Sequence, residues 1–120
     1  MKTNIQTIRF TLTPSVSDYI AKKLSAIEKL VDPTDESVMC EVTLTQITNH
    51  HKTGDIVKAE FDLHIAGRYL SASSEKESVQ AALDEAKDEL VRELKSYKNR
   101  KATLVRKIGG KIKRLLKGLP

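Results

Sequence analysis

Ile56-Val57-Lys58-Ala59-Glu60-Phe61-Asp62-Leu63-His64-Ile65 is the stretch on which the fold turns. Val57, Ala59, Phe61, Leu63 and Ile65 alternate strictly with Lys58, Glu60, Asp62 and His64. Period two over nine residues, with β-branched and aromatic side chains on the apolar set, predicts a strand with one buried face. Upstream, Val38, Cys40, Val42 and Leu44 alternate with Met39, Glu41, Thr43 and Thr45 in the same way. The turn-rich run Asn49-His50-His51-Lys52-Thr53-Gly54-Asp55 joins the two. Downstream, Ala66-Gly67-Arg68 turns the chain, and a shorter strand is expected from about Tyr69 to Ser73 with Leu70 and Ala72 inward.

Helices flank these three strands. Val16, Ile20, Leu24, Ile27 and Val31 recur at spacings of three and four, with Tyr19 and Leu30 on one flank, so a helix is expected from Pro14 to Val31. Thr13 is its expected N-cap, Pro14 suits the first helical position, and Asp32-Pro33 stops it. On the far side, Ser74 is the expected start of a second helix, with Glu77 as its capping-box partner. Val79, Ala82, Leu83, Ala86, Leu90, Leu94 and Tyr97 form its apolar stripe, and it should reach Arg100 or Lys101. Before all of these, Asn4 to Leu12 predicts a first strand, with Ile8, Phe10 and Leu12 on the apolar side and Ile5 breaking the alternation. The order is βαβββα. The expected fold is therefore α+β: a four-stranded sheet carrying two helices on one face, its first strand parallel to a neighbour and the later strands in antiparallel hairpins.

The remaining segment is different in kind. Leu104, Ile108, Ile112, Leu115, Leu116 and Leu119 recur at helical spacing among basic residues, and Gly109-Gly110 interrupts the pattern. Residues 1–101 are accordingly expected to form one domain and 102–120 a basic amphipathic tail that orders when it meets a partner. From Lys98 to Pro120 there are nine basic residues and no acidic one, whereas the first 97 residues carry 12 basic and 16 acidic groups. Such a cationic end points to a polyanionic partner, nucleic acid or an anionic membrane surface.

Composition narrows the classes further. The chain has 120 residues, 39% hydrophobic and 31% charged, with a formal net charge of +5, as expected of a single globular domain. No apolar run approaches the ~18–20 residues of a bilayer span, and the first residues lead into no signal-peptide core. The lone Cys40 fits a reducing, cytoplasmic setting. It also lies on the apolar face of its strand, where an inert thiol is expected rather than a nucleophile. His50-His51, with distant His64, lacks the ligand spacing of a metal site. Asp84-Glu85 and Asp88-Glu89 read as a solvated helix surface, and none of the five glycines forms a phosphate-cradling loop. No catalytic residue, metal or cofactor is expected, and the chain is not expected to be an enzyme.

Electrostatics remains. Lys22 and Lys29 lie opposite the apolar stripe of the first helix, with Lys23 at its edge. Lys87, Arg92, Lys95 and Lys98 occupy the outer surface of the second, and Arg100, Lys101, Arg106, Lys107, Lys111, Lys113 and Arg114 continue the charge towards the C-terminus. Aromatic side chains are few (Phe10, Tyr19, Phe61, Tyr69, Tyr97), which argues against base stacking and for recognition of RNA shape and phosphate.

Several segments carry a resemblance. Asn4-Ile5 opens the chain, Leu12-Thr13-Pro14 enters the first helix, and Lys23-Leu24-Ser25-Ala26-Ile27-Glu28-Lys29 lies within it. Leu70-Ser71-Ala72 precedes the second helix, where Ala81-Ala82-Leu83-Asp84 leads to Asp88-Glu89-Leu90-Val91-Arg92-Glu93-Leu94-Lys95-Ser96-Tyr97-Lys98. In this order and spacing, residues 3 to 101 resemble the ribosome hibernation promoting factor family, also called ribosome-associated inhibitors or ribosomal subunit interface proteins. The resemblance implies a fold shaped like a double-stranded RNA-binding domain. It also implies binding to small-subunit rRNA between head and body, where messenger RNA and tRNA lie, and inhibition of translation under stress. The basic positions that it implies are Lys23, Lys29, Arg92, Lys98 and Arg100. The chain departs from the family pattern at Ala26, at Glu77-Ser78-Val79 and at Glu89, and it has the length of a short form. A monomer is expected, with contacts to ribosomal proteins left open and no membrane. The competing expectations are a general structured-RNA-binding module and a tail-mediated membrane or partner-binding protein.

Overall fold

In the computed structural model, which describes residues 1–48 and 55–107, six elements follow one another. They are β1 (Lys2–Ile8), α1 (Pro14–Glu28), β2 (Met39–Thr48), β3 (Asp55–Ile65), β4 (Arg68–Lys76) and α2 (Val79–Lys107). The strands lie in the order β1-β2-β3-β4, with β1 parallel to β2 and the other two pairs antiparallel. The α+β, βαβββα arrangement expected from the residue pattern is the arrangement found.

Alternation sets the layers. Cys40, Val42 and Leu44 on β2 pair with Leu63, Phe61 and Ala59 on β3, and Phe61 and Leu63 pair in turn with Ala72 and Leu70 on β4. That face is dry: Cys40, Val42, Leu44, Ala59, Phe61 and Leu63 are fully buried against Ile20, Leu24 and Ile27 of α1 and Ala82, Leu83, Ala86, Leu90 and Leu94 of α2. Burying each large apolar side chain contributes about 1.5–3 kcal/mol, so the sheet–helix interface is the main source of stability. The turn between β3 and β4 is two residues long. Ala66 and Gly67 have φ of 50° and 72°, the left-handed values that a type I′ hairpin turn requires.

Four local expectations are corrected. β1 starts at Lys2 and ends at Ile8, because Arg9 takes φ 55° and turns the chain. Its parallel register sets Ile5 beside Val42 on the helix side, which leaves Ile8 on the open face at 50% exposure. Ile5, the apparent break in the pattern, is thus the inward residue. α1 ends at Glu28 rather than Val31, after which Leu30 N–H and Val31 N–H donate three residues back to Ile27 and Glu28. Leu30 and Val31 still pack on the core from this tighter turn. Asp32 and Asp35 then hold the loop by accepting from the backbone and hydroxyls of Thr34 and Ser37.

Ser74 does not cap α2. It remains in β4 opposite Ala59, buried on the helix side, and the strand runs on to Lys76. Ser78 opens the helix instead: its hydroxyl accepts from Ala81 N–H at 3.4 Å and its carbonyl from Ala82 N–H at 3.0 Å. Lastly, α2 continues through Lys101 to Lys107. The expected hinge at Gly109-Gly110, the rest of the tail and His50-His51 lie outside the described residues.

Candidate nucleic-acid interface

The two helices lie side by side and advance in the same direction. Asp84 meets Tyr19 and Lys23 of α1, and Lys98, further along α2, donates to the carbonyl of Leu30 just past the end of α1. Asp84, Lys87, Val91, Lys95 and Lys98 follow at spacings of three and four, so they form one stripe of α2 along this border. Lys22 and Lys29 lie seven residues apart on the exposed side of α1, about 10 Å apart along its axis.

Charge is graded along α2. From Val79 to Glu93 it holds five acidic and two basic residues; from Leu94 to Lys107 it holds six basic residues and no acidic one. Positive side chains towards a helix C-terminus are favoured by the backbone dipole. Because the helices run in parallel, this cationic half lies at the end of the molecule where Lys29 caps the C-terminus of α1.

The candidate cations divide by what they touch. Lys22, Lys29, Arg92, Lys95 and Arg100 are exposed and make no ion pair among the described residues. Lys23 is half-buried and pairs with Asp84 Oδ1 at 2.6 Å. Lys87 is also half-buried, 3.4 Å from Asp88 Oδ1. Lys98 is exposed but spends one N–H on the Leu30 carbonyl, so it ties α2 to the end of α1 as well as carrying charge. Lys101, Arg106 and Lys107 lie on the backbone of α2, while Lys111, Lys113 and Arg114 lie outside the described residues.

Two features were not visible in the linear sequence. Arg68, the first residue of β4, places its guanidinium 5.4 Å from the centroid of the Tyr97 ring, which brings another cation from the hairpin to the α2 patch. No periodicity argument links residues 68 and 97; only the closed hairpin does. The second is the unit made by Tyr19, Lys23 and Asp84. The Tyr19 hydroxyl donates to Asp84 Oδ1 at 2.5 Å, and Lys23 Nζ sits 4.7 Å from the Tyr19 ring centroid. The Lys23 ammonium, and then the Tyr19 hydroxyl, hold the Asp84 carboxyl below its ordinary range. The same contact with Asp84 raises both Lys23 and Tyr19.

The opposite face of the sheet has another character. Its outward positions on β2, β3 and β4 include Glu41, Glu60, Asp62 and Glu75, with Glu41 directly opposite Asp62. Desolvation, with Asp62 close by, raises Glu60, and the Ser71 hydroxyl donates to Asp62. Tyr69, 68% exposed, packs on His64 beside these carboxylates. Lys2 and Lys58 share this face, Lys58 at 3.9 Å from Glu60, and carboxylates outnumber lysines on its strands. Among the described residues no three His, Cys, Asp or Glu side chains come together as a metal site, and no helix is long and apolar enough to cross a membrane.

Residues 3–102 match the family described as sigma 54 modulation protein / S30EA ribosomal protein. The chain belongs to this family. Relatives within it include a ribosome hibernation promoting factor of Pseudomonas putida, 30% identical over 88% of this chain and 94% of the relative. Another, from Klebsiella oxytoca, is 28% identical over 83% and 96%. Among solved structures, the N-terminal domain of Thermus thermophilus Protein Y superposes with a TM-score of 0.66 at 22% identity, covering 81% of this chain and 99% of that one. A ribosomal subunit interface protein from Coxiella burnetii gives 0.64 at 15% identity, over 82% and 99%. Both share the S30EA-type fold described above.

Proposed function

We propose that this S30EA-family chain is a ribosome-associated inhibitor of translation that binds rRNA of the small subunit in the channel for messenger RNA and tRNA. The observation that carries the reading is the charge segregation: Lys29, Lys95, Lys98 and Arg100 at one end of the parallel helices, with Arg92 exposed midway along α2, and carboxylates on the opposite sheet face. The names of the curated relatives, ribosome hibernation promoting factors, supply the partner. The exposed lysines and arginines engage phosphates, and the orientation follows from the field of the whole domain. A protein seated so excludes the ligands of the channel by occupancy, with no chemical step.

The test is competition. Full-length protein is titrated onto purified small subunits in the presence of excess bulk structured RNA, across a salt series. Preference for subunits at matched salt supports the ribosomal reading. Equal affinity for both replaces it with general recognition of structured RNA.

A further inference from the structure

A lysine with a carboxylate at 2.6 Å is a neutral pair, and it attracts phosphate weakly until that pair is broken. Asp84 Oδ1 receives both the Lys23 ammonium and the Tyr19 hydroxyl, so the carboxylate is fixed from two sides by α1. The ammonium is further held over the Tyr19 ring. Side-chain exposures of 23% for Lys23 and 46% for Asp84 leave the pair open to an incoming anion without parting the helices. A phosphate oxygen and a carboxylate oxygen are alternative acceptors for the same N–H donors.

We infer that Asp84 is an affinity-setting residue of the helix layer: its carboxylate occupies Lys23, and an RNA phosphate gains that lysine only by displacing it. The inference rests on the RNA-binding reading above. It makes Asp84 an internal stand-in for phosphate, positioned where the stripe of Lys87, Lys95 and Lys98 begins. Two opposite effects of the carboxylate decide the sign. If Asp84 chiefly aims Lys23 at phosphate, removing its charge weakens binding; if it chiefly neutralises Lys23, removing it strengthens binding. The geometry favours the second, because the ammonium is drawn onto the helix–helix border and not outward. Tyr19 supports the carboxylate and not the lysine's reach.

The experiment measures small-subunit and structured-RNA affinity of the full chain across a salt series, with melting temperature as a folding control. Asp84→Asn should bind about fivefold tighter at ~0.1 M salt, with a salt slope steeper by roughly one phosphate contact. Lys23→Met in the parent leaves the Asp84 carboxylate uncompensated and should weaken binding, and in the Asp84→Asn background it should return affinity to that of the parent. Tyr19→Phe, which keeps the ring but frees one side of the carboxylate, should move affinity in the same direction by less, and it serves where Asp84→Asn unfolds. A folded Asp84→Asn protein that binds equally or more weakly overturns the proposal, as does a gain that survives loss of Lys23. Absence of RNA binding by every form, the parent included, removes the RNA reading itself; parent binding without a gain removes only the role of Asp84.

Discussion

Cys40 and Asp84 show how position decides what a side chain can do. Burial, with the Asp62 and Glu41 carboxylates nearby, pushes the Cys40 thiol up to about 12. Since the thiolate is the reactive form, a neutral thiol-directed reagent should label Cys40 only on the timescale of unfolding; rapid labelling of native protein would contradict its placement. The apolar alternation of β2 was enough to read this from the sequence. The Asp84 unit was not legible in that way, because its members lie 65 residues apart and Asp84 reads locally as one more acid on a helix surface. Its titration makes a two-sided prediction. Asp84 is depressed, so its contribution is present above the ordinary carboxylate value and lost as pH falls through the depressed one. Tyr19 and Lys23 are raised, so theirs is present below their ordinary values of 10.0 and 10.5 and lost as pH rises through the raised ones. Ultraviolet titration should therefore find the Tyr19 phenol ionising above 10.0, and Asp84→Asn should bring it down.

Among the elements, β2, β3 and the apolar stripes of both helices were legible because periodicity and burial coincide there. Errors gathered where they separate. β1 lies at the sheet edge with only Ile5 partly buried, so its apolar residues beyond Ile8 misled the register. Ser74 has the chemistry of a cap, but pairing with Ala59 continues the ladder through it, and Ser78 takes the role four residues later. Ser78→Ala should accordingly lower stability by about 1 kcal/mol in denaturant unfolding; no change would place the cap elsewhere. Phe61→Ala, at the centre of the sheet and fully buried, should cost about 3–5 kcal/mol. A cost near that of a surface substitution would deny that Phe61 anchors the sheet–helix interface. The C-terminal half of α2 illustrates a third case. Leu104 continues its helical spacing past Lys101, and the helix follows that spacing to Lys107.

For the whole molecule, charge is the organising feature. The net +5 of the sequence conceals a dipolar arrangement, with carboxylates across the open sheet face and exposed cations where α1 and α2 end. The basic C-terminal run led to the expectation of a polyanionic partner; it took the parallel packing of the helices to show that Lys29, Lys95, Lys98, Arg100 and, from the hairpin, Arg68 gather at one end. Because α2 passes through Lys101, cutting the chain there severs a helix, and substitution is the cleaner probe. Arg92→Glu with Lys95→Glu reverses two exposed cations that touch no described acid and lie outside the core. The decisive measurement is co-sedimentation of this double variant with purified small subunits at physiological salt. The account predicts a normal melting temperature with subunit binding reduced on the order of 100-fold or more, since each lost phosphate contact is also replaced by a repulsion. Undiminished co-sedimentation of the folded variant would contradict the assignment of the helix layer as the ribosome-binding face.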